Sequence, residues 1–145
     1  PTASGLAQTL GCIHLSTIPI PFFEHVGLRI EERRAGFSKC TLTVESHHFN
    51  SAGAVHGAVL FTLADTGMGA ALYPTLGPGE ICATIEIKIN YFKPVTGGEI
   101  TCTSEIVNRG KTVANLESSV RVNGVLVAKA NGSFSIIKRG VPNAT

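Results

Sequence analysis

The sequence predicts an α+β fold: one long apolar helix laid along a curved antiparallel sheet of about six strands, with a short N-terminal helix. Three observations carry that expectation. Residues 56–73 read HGAVLFTLADTGMGAALY, apolar on every side of a helical wheel and stopped by Pro74. Residues 81–91 alternate almost without a break, placing Ile81, Ala83, Ile85, Ile87, Ile89 and Tyr91 on one face. Further on, Asn123-Gly124 sits between two alternating stretches and is a strong hairpin signal.

Taken in order, Ser4 is placed to cap a first helix ending near Gly11. Residues 26–33 alternate through Val26, Leu28 and Ile30, and residues 38–45 through Cys40, Leu42 and Val44. The turn Ala35-Gly36 joins them as a hairpin of half-buried strands. The apolar stretch that follows is short for a bilayer, carries Asp65 and has no basic flanks, so it reads as a buried helix. Its small residues, Gly57, Ala58, Ala64, Gly67, Gly69, Ala70 and Ala71, let a sheet or second helix approach closely. Strands are expected over residues 81–91, 99–108, 112–121 and 125–137, with Arg109-Gly110-Lys111 as a tight loop between the second and third. A single sheet covers only one side of a helix, so a helix apolar all round asks for a second chain. A homo-oligomer is therefore expected, with a homodimer as the site-forming unit; a lone dimer and a dimer of dimers, or homotetramer, both fit the sequence.

The 145 residues suit one domain, expected over 1–145 with its core at about 26–137. Hydrophobic residues make up 43% of the chain and charged residues 15%, a balance that suits a surface partly covered by another subunit. A net charge of +2 argues against nucleic acid as partner. The longest basic runs are the pairs Arg33-Arg34 and Lys138-Arg139, so no membrane-binding patch is expected. Cys12, Cys40, Cys82 and Cys102 form no CxxC pair and stand at no ligand spacing from a histidine. Reduced, mostly buried thiols fit a cytoplasmic protein. No charged-then-apolar leader opens the chain, so no signal peptide is expected, and Asn131-Gly132-Ser133 is read as strand rather than glycosylation site.

Asp65 is the outlier. A carboxylate in a buried helix costs several kcal/mol unless it is paired or hydrogen-bonded. No Lys, Arg or His lies three or four positions away to pair with it. It reads either as an acid–base or nucleophilic group or as a structural carboxylate bonded to a strand backbone or a hydroxyl. The loop HHFNSAGAVHG, residues 47–57, leads into the helix N-terminus, whose free N–H groups suit an oxyanion. There Gly57 lets a carbonyl approach, Asn50 offers an amide donor and His56 supports the turn; each also reads as an ordinary turn or helix-start residue. Gly57 and Asp65 are eight positions apart, roughly 12 Å of rise and about 80° of rotation. One carbonyl cannot meet both on the same chain, so either only one feature is functional or each site draws on two chains. GxSxG, P-loop, GxGxxG and HExxH motifs are absent, and no metal is expected.

Asn50-x-x-Gly53-x-x-His56-Gly57-Ala58, Leu63-Ala64-Asp65-Thr66 and Asn90-Tyr91-Phe92-Lys93-Pro94 together resemble the hotdog-fold acyl-CoA thioesterases of the phenylacetate-degradation (PaaI-like) type. That group takes in the mammalian thioesterase superfamily member two, and the likeness spans roughly residues 26–136. The resemblance implies hydrolysis of an acyl-CoA or aryl-CoA thioester, with CoA as part of the substrate and no separate cofactor. Asp65 would be nucleophile or general base, Gly57 N–H the oxyanion donor and Asn50 a partner near the carbonyl or the water. His56 would be auxiliary, and Thr84 would help hold the water, although simple alternation puts Thr84 with Glu86 and Lys88, away from the apolar face. Many relatives carry Gly-Gly after the His, where this chain has Gly57-Ala58. Arg109, Lys111 and Lys93 are the candidates for the CoA phosphates, and Phe22, Phe23, Phe49, Phe61 and Tyr73 for an aryl or fatty-acyl pocket. A non-catalytic acyl-CoA sensor and a hydratase or dehydratase are the rival readings, the latter drawing on His47-His48.

Overall fold

Residues 20–140 are described in the computed structural model; the helix expected over residues 4–11 and the Cys12 thiol lie outside them. Helix α1 (Pro21–Val26) precedes strands β1 (Leu28–Arg34) and β2 (Phe37–Thr43). Helix α2 (Gly57–Leu72) follows, then β3 (Glu80–Tyr91), β4 (Glu99–Arg109), β5 (Val113–Val122) and β6 (Val125–Lys138). The six strands form one antiparallel sheet in the order β1-β2-β4-β5-β6-β3, leaving β1 and β3 as its edges. The expected strands and long helix are all present, with boundaries shifted by a residue or two. Helix α1 was not among the expectations. Its signals are a proline at its first position and Gly27 in the left-handed region, whose N–H closes on the Phe23 carbonyl.

The inner face of α2 buries Leu63, Ala64, Met68, Ala71 and Leu72 completely. Toward its N-terminal end these side chains meet Leu42, Ile100 and Val120, and toward its C-terminal end Leu116 and Phe134. Each buried Leu or Met is worth about 1.5–3 kcal/mol in desolvation alone. Between the two apolar clusters lies a row of hydroxyls. Ser38, Ser104 and Ser118 are cross-strand neighbours on β2, β4 and β5, all fully buried. Ser38 donates to the Gly67 carbonyl at 2.6 Å, Ser118 donates to the Ala64 carbonyl at 3.4 Å, and Ser104 and Ser118 share a bond of 2.7 Å. A Cβ at position 67 would collide with the Ser104 hydroxyl, so a glycine there lets the helix backbone settle onto the serines. Buried polar groups stay affordable only when bonded, and no buried side-chain N or O among the described residues lacks a partner.

The outer face of α2 is a different surface. Ala58 and Phe61 are exposed, and Thr62, Asp65, Thr66 and Gly69 are half-buried. The helix is thus buried on one side within this chain, and Asp65 stands on the open side rather than inside the core.

Strand β3 departs from simple alternation. Its pairing with β6 slips between Thr84 and Glu86, leaving Ile85 without an opposite residue. Before this bulge Cys82 and Thr84 pair with the buried Ile136 and Phe134; after it Ile87 and Ile89 pair with Gly132 and Ala130. The inward face therefore changes from even to odd positions. Ile85, expected in the core, is 57% exposed. Thr84, expected to point away from the helix, points at it.

Candidate active site

The bulge gives Asp65 its partner. The Thr84 hydroxyl donates to an Asp65 carboxylate oxygen at 2.7 Å. A sequence search along the helix could not find this bond, because it spans 19 positions and depends on the slip in β3. Such a bond orients the carboxylate and leaves its second oxygen without a hydrogen-bond partner among the described residues.

At the helix N-terminus the loop is held by its own polar groups. Asn50 Oδ1 accepts the N–H groups of Ala52 at 2.9 Å and Ala54 at 3.1 Å, and its own N–H donates to the Ala54 carbonyl. Gly53 sits at φ +78°, a conformation that favours glycine. The Asn50 oxygen is thereby committed to the loop, and its Nδ2 donates to nothing among the described residues. His56 is the N-cap of α2: its Nδ1 accepts the Ala58 N–H at 3.0 Å, and its carbonyl accepts from Val59. With Ala58 and Val59 so occupied, Gly57 keeps an N–H that has no partner among the described residues. An unpaired N–H at a helix start can receive an oxyanion.

Tyr91 closes the other side. Its hydroxyl donates to the Gly57 carbonyl at 2.8 Å, and its ring lies 3.1 Å from where a Cβ at position 57 would stand. A side chain at position 57 would press on the Tyr91 ring, so glycine suits a neighbour within the chain, besides any substrate. Sequence reasoning used Tyr91 only as an alternating strand residue and part of the resemblance; Tyr91 in Asn90-Tyr91-Phe92-Lys93-Pro94 was the available signal. Asn50, Val55, Gly57, Leu60, Tyr91 and Lys93 are among the walls of a cleft of about 320 Å³ at this end of α2.

The phosphate candidates separate. Lys93 is exposed beside the cleft. Lys111 is exposed on the β4–β5 hairpin. Arg109 is engaged within the chain: its guanidinium donates to the Thr75 hydroxyl and carbonyl, both at 3.2 Å, and to the Gly110 carbonyl. It also pairs with Glu80 at 3.3 Å. Every nitrogen has a partner, so Arg109 clamps the hairpin to the segment after α2. The Gly77 N–H, followed by Arg109, holds the Glu80 carboxyl below the usual carboxylate range. His48 is engaged as well. It is buried, its Nδ1 accepts the Glu45 N–H at 2.9 Å and its Nε2–H donates to the Val26 carbonyl at 2.7 Å. It ties the loop to α1 and has no nitrogen left for chemistry. Among the described residues no group of three or more His, Cys, Asp or Glu could hold a metal ion, and no helix is long and apolar enough to cross a membrane.

Known proteins share this chain's sequence and fold. Residues 52–128 match the thioesterase superfamily. A protein of Archaeoglobus fulgidus with a provisional esterase name is 30% identical over 122 residues, 83% of this chain and 77% of that one. Mouse acyl-coenzyme A thioesterase 13 is 29% identical over 131 residues, 87% of this chain and 93% of that one. Among solved structures, a conserved Pseudomonas aeruginosa protein superposes with a TM-score of 0.78 at 33% identity, covering 82% of this chain and 95% of its own. A point mutant of the phenylacetic acid degradation protein PaaI of Thermus thermophilus gives a TM-score of 0.74 at 27% identity, covering 80% and 98%. The sheet wrapped along one helix is thus the hotdog fold of these relatives, and the chain belongs to the thioesterase superfamily and is a thioester hydrolase.

Proposed function

We propose that the enzyme hydrolyses an acyl-CoA or aryl-CoA ester, with Asp65 as general base or nucleophile and the Gly57 N–H as oxyanion donor. The single observation that carries this reading is the Thr84–Asp65 bond on the uncovered face of α2. A carboxylate kept only for structure would serve equally well facing the sheet; this one is oriented by a hydroxyl and aimed outward. Similarity to the mouse acyl-coenzyme A thioesterase supports the CoA ester, and similarity to the phenylacetic acid degradation protein of Thermus supports an aryl variant.

In the general-base form, a water beside Asp65 and Thr84 gives its proton to the carboxylate as its oxygen bonds the thioester carbon. The carbonyl electron pair moves onto oxygen and is stabilised by the Gly57 N–H, with Asn50 Nδ2 beside it. Collapse of that adduct breaks the C–S bond, and the CoA thiolate takes the proton back from Asp65. Water and acyl-CoA become carboxylic acid and CoA, with no oxidant or other reactant. In the nucleophilic form, an Asp65 carboxylate oxygen bonds the thioester carbon and the C–S bond breaks, releasing CoA thiolate; water then cleaves the mixed anhydride, giving the carboxylic acid and the free Asp65 carboxylate, and the proton that water loses goes to the thiolate. His56 sets the helix start that presents the Gly57 N–H.

Each site is proposed to join the Asn50–Gly57 loop of one chain to Asp65 of another, because eight helical positions separate the two features and the outer face of α2 is open. A homodimer, paired again into a tetramer, is the proposed assembly. Lys93 is the proposed phosphate contact. Lys111 stands near the opposite end of α2, roughly 24 Å away along the axis, and would act from a neighbouring chain. Free thiols at Cys40, Cys82 and Cys102 support a reducing, cytoplasmic setting.

Replacing Asp65 by Asn should lower kcat by roughly 10²-fold or more with little change in melting temperature. Thiol release from a panel of acyl-CoA esters measures it. An Asp65→Asn enzyme as fast as wild type would remove Asp65 from the mechanism.

A further inference from the structure

We infer that the acyl group accepted by this enzyme ends in a carboxylate that Arg33 reads, an inference that rests on the acyl-CoA reading above. A second pocket, of about 310 Å³, lies between α1, β1 and the outer face of α2. Ile20, Phe23, Ile30, Gly69 and Tyr73 line it, with Arg33 as its charged member. Gly69 follows Asp65 by four positions, one turn along the same helix face. The pocket therefore opens beside the carboxylate, whereas the cleft at Gly57 lies near the other end of the helix and carries Lys93. With the Gly57 N–H supplied by a partner chain, a thioester carbonyl at Asp65 has this pocket one turn away for its acyl half, and its CoA half runs along the partner's cleft.

The walls suit a methylene chain, and Arg33 sets its end. Arg29, Arg34 and Arg109 each meet a glutamate. Arg33 meets no carboxylate among the described residues and donates no side-chain hydrogen bond there. Its guanidinium instead stands over the Tyr73 ring, 5.3 Å from the centroid. That contact holds the group in place without consuming its N–H donors. An apolar chain end pressed against it would strip water from a charge and return nothing. A carboxylate would return a bidentate, charge-assisted pair. Gly69 supplies an independent probe, because a Cβ built there meets nothing within 4 Å. A larger side chain at position 69 would fill the pocket without displacing its own chain.

The test compares octanoyl-CoA with its dicarboxylic counterpart, suberoyl-CoA, and uses acetyl-CoA as the short reference. Wild type, Arg33→Met, Arg33→Glu and Gly69→Leu are assayed by thiol release, and light scattering checks their assembly. Hydrogen bonds to a charged group imply that wild type should favour suberoyl-CoA in kcat/KM by roughly 10- to 100-fold. Arg33→Met should abolish that preference and Arg33→Glu reverse it. Gly69→Leu should slow both eight-carbon esters relative to acetyl-CoA. Equal rates on the two eight-carbon esters, a preference for octanoyl-CoA, or a suberoyl preference that survives Arg33→Met would overturn the inference and leave the hydrolase reading standing. A wild type that hydrolyses no CoA ester at all would overturn the acyl-CoA reading, and this inference with it.

Discussion

On its inner face α2 rests on apolar side chains and on two serine hydroxyls that bond its Ala64 and Gly67 carbonyls. On its outer face, within the same two turns, stand Asp65, Thr62 and Thr66, and among the described residues only the Thr84 hydroxyl reaches across to them. The inner face is held at fixed depth and rotation by groups that water does not reach. The outer face carries Asp65, the proposed catalytic carboxylate, and is open within this chain. The contrast explains how a glycine-rich, apolar helix can hold a polar group steadily: precision comes from beneath, and access from the open side.

The widest test of that contrast asks whether the cover is a second chain. An Asn50→Ala chain and an Asp65→Ala chain, each inactive alone, should regain activity when unfolded and refolded together. A mixed dimer has one site with both lesions and one with neither, so random pairing should restore about one quarter of wild-type activity. Mixed dimers demonstrated by mass spectrometry that remain inactive would sink the shared site. On the inner face, Leu63→Ala should destabilise the fold by about 2–5 kcal/mol, measured by denaturant unfolding. On the outer face, Phe61→Ala should cost far less in the isolated chain and act instead on assembly, read by sedimentation. Equal destabilisation by the two would erase the distinction between the faces.

The smallest effect is expected from thiol chemistry. Burial pushes the Cys40 thiol up to about 12 and the Cys102 thiol up to about 11. A raised thiol value keeps the neutral form, so little thiolate exists at neutral pH and reaction should accelerate only under alkaline conditions. Iodoacetamide applied to the folded enzyme at pH 7 should leave activity within a factor of about two. Rapid inactivation together with a modified Cys40 or Cys102, seen by mass spectrometry, would contradict the buried positions.

Much of the fold was legible because its signals are local. Alternation marked the strands, Pro74 marked the end of α2 and Asn123-Gly124 marked the last hairpin. The candidate site was proposed from the sequence as separate members, Asp65, Gly57, Asn50 and Thr84, and their relations were not legible there. Thr84 faces Asp65 only because of the slip in β3, and a single added residue leaves no trace in composition. Arg109 and His48 looked available because their partners lie far away in the chain: Glu80 and Thr75 for Arg109, the Val26 carbonyl for His48. The two turns from Pro21 to Gly27 carried readable signals, yet six residues are too few for periodicity to register.

The unpaired residue of β3 has a further consequence. It acts as a phase shifter. Upstream of Ile85 the even positions look at the helix, and downstream the odd ones do, so one strand presents two sequence frames to the same core. A one-residue deletion at Ile85 would remove the offset: with the downstream half anchored through Ile87 and Ile89, Glu86 still faces out and Thr84, now next to it, still faces Asp65. Were Ile85 instead kept and drawn into regular pairing, Thr84 would turn to solvent and Ile85 would take its place facing Asp65. Point substitutions alter a side chain, but the pairing of one residue here decides which side chains are offered at all. For this fold, the phase of β3 is therefore a heritable variable of the proposed active site, separate from residue identity.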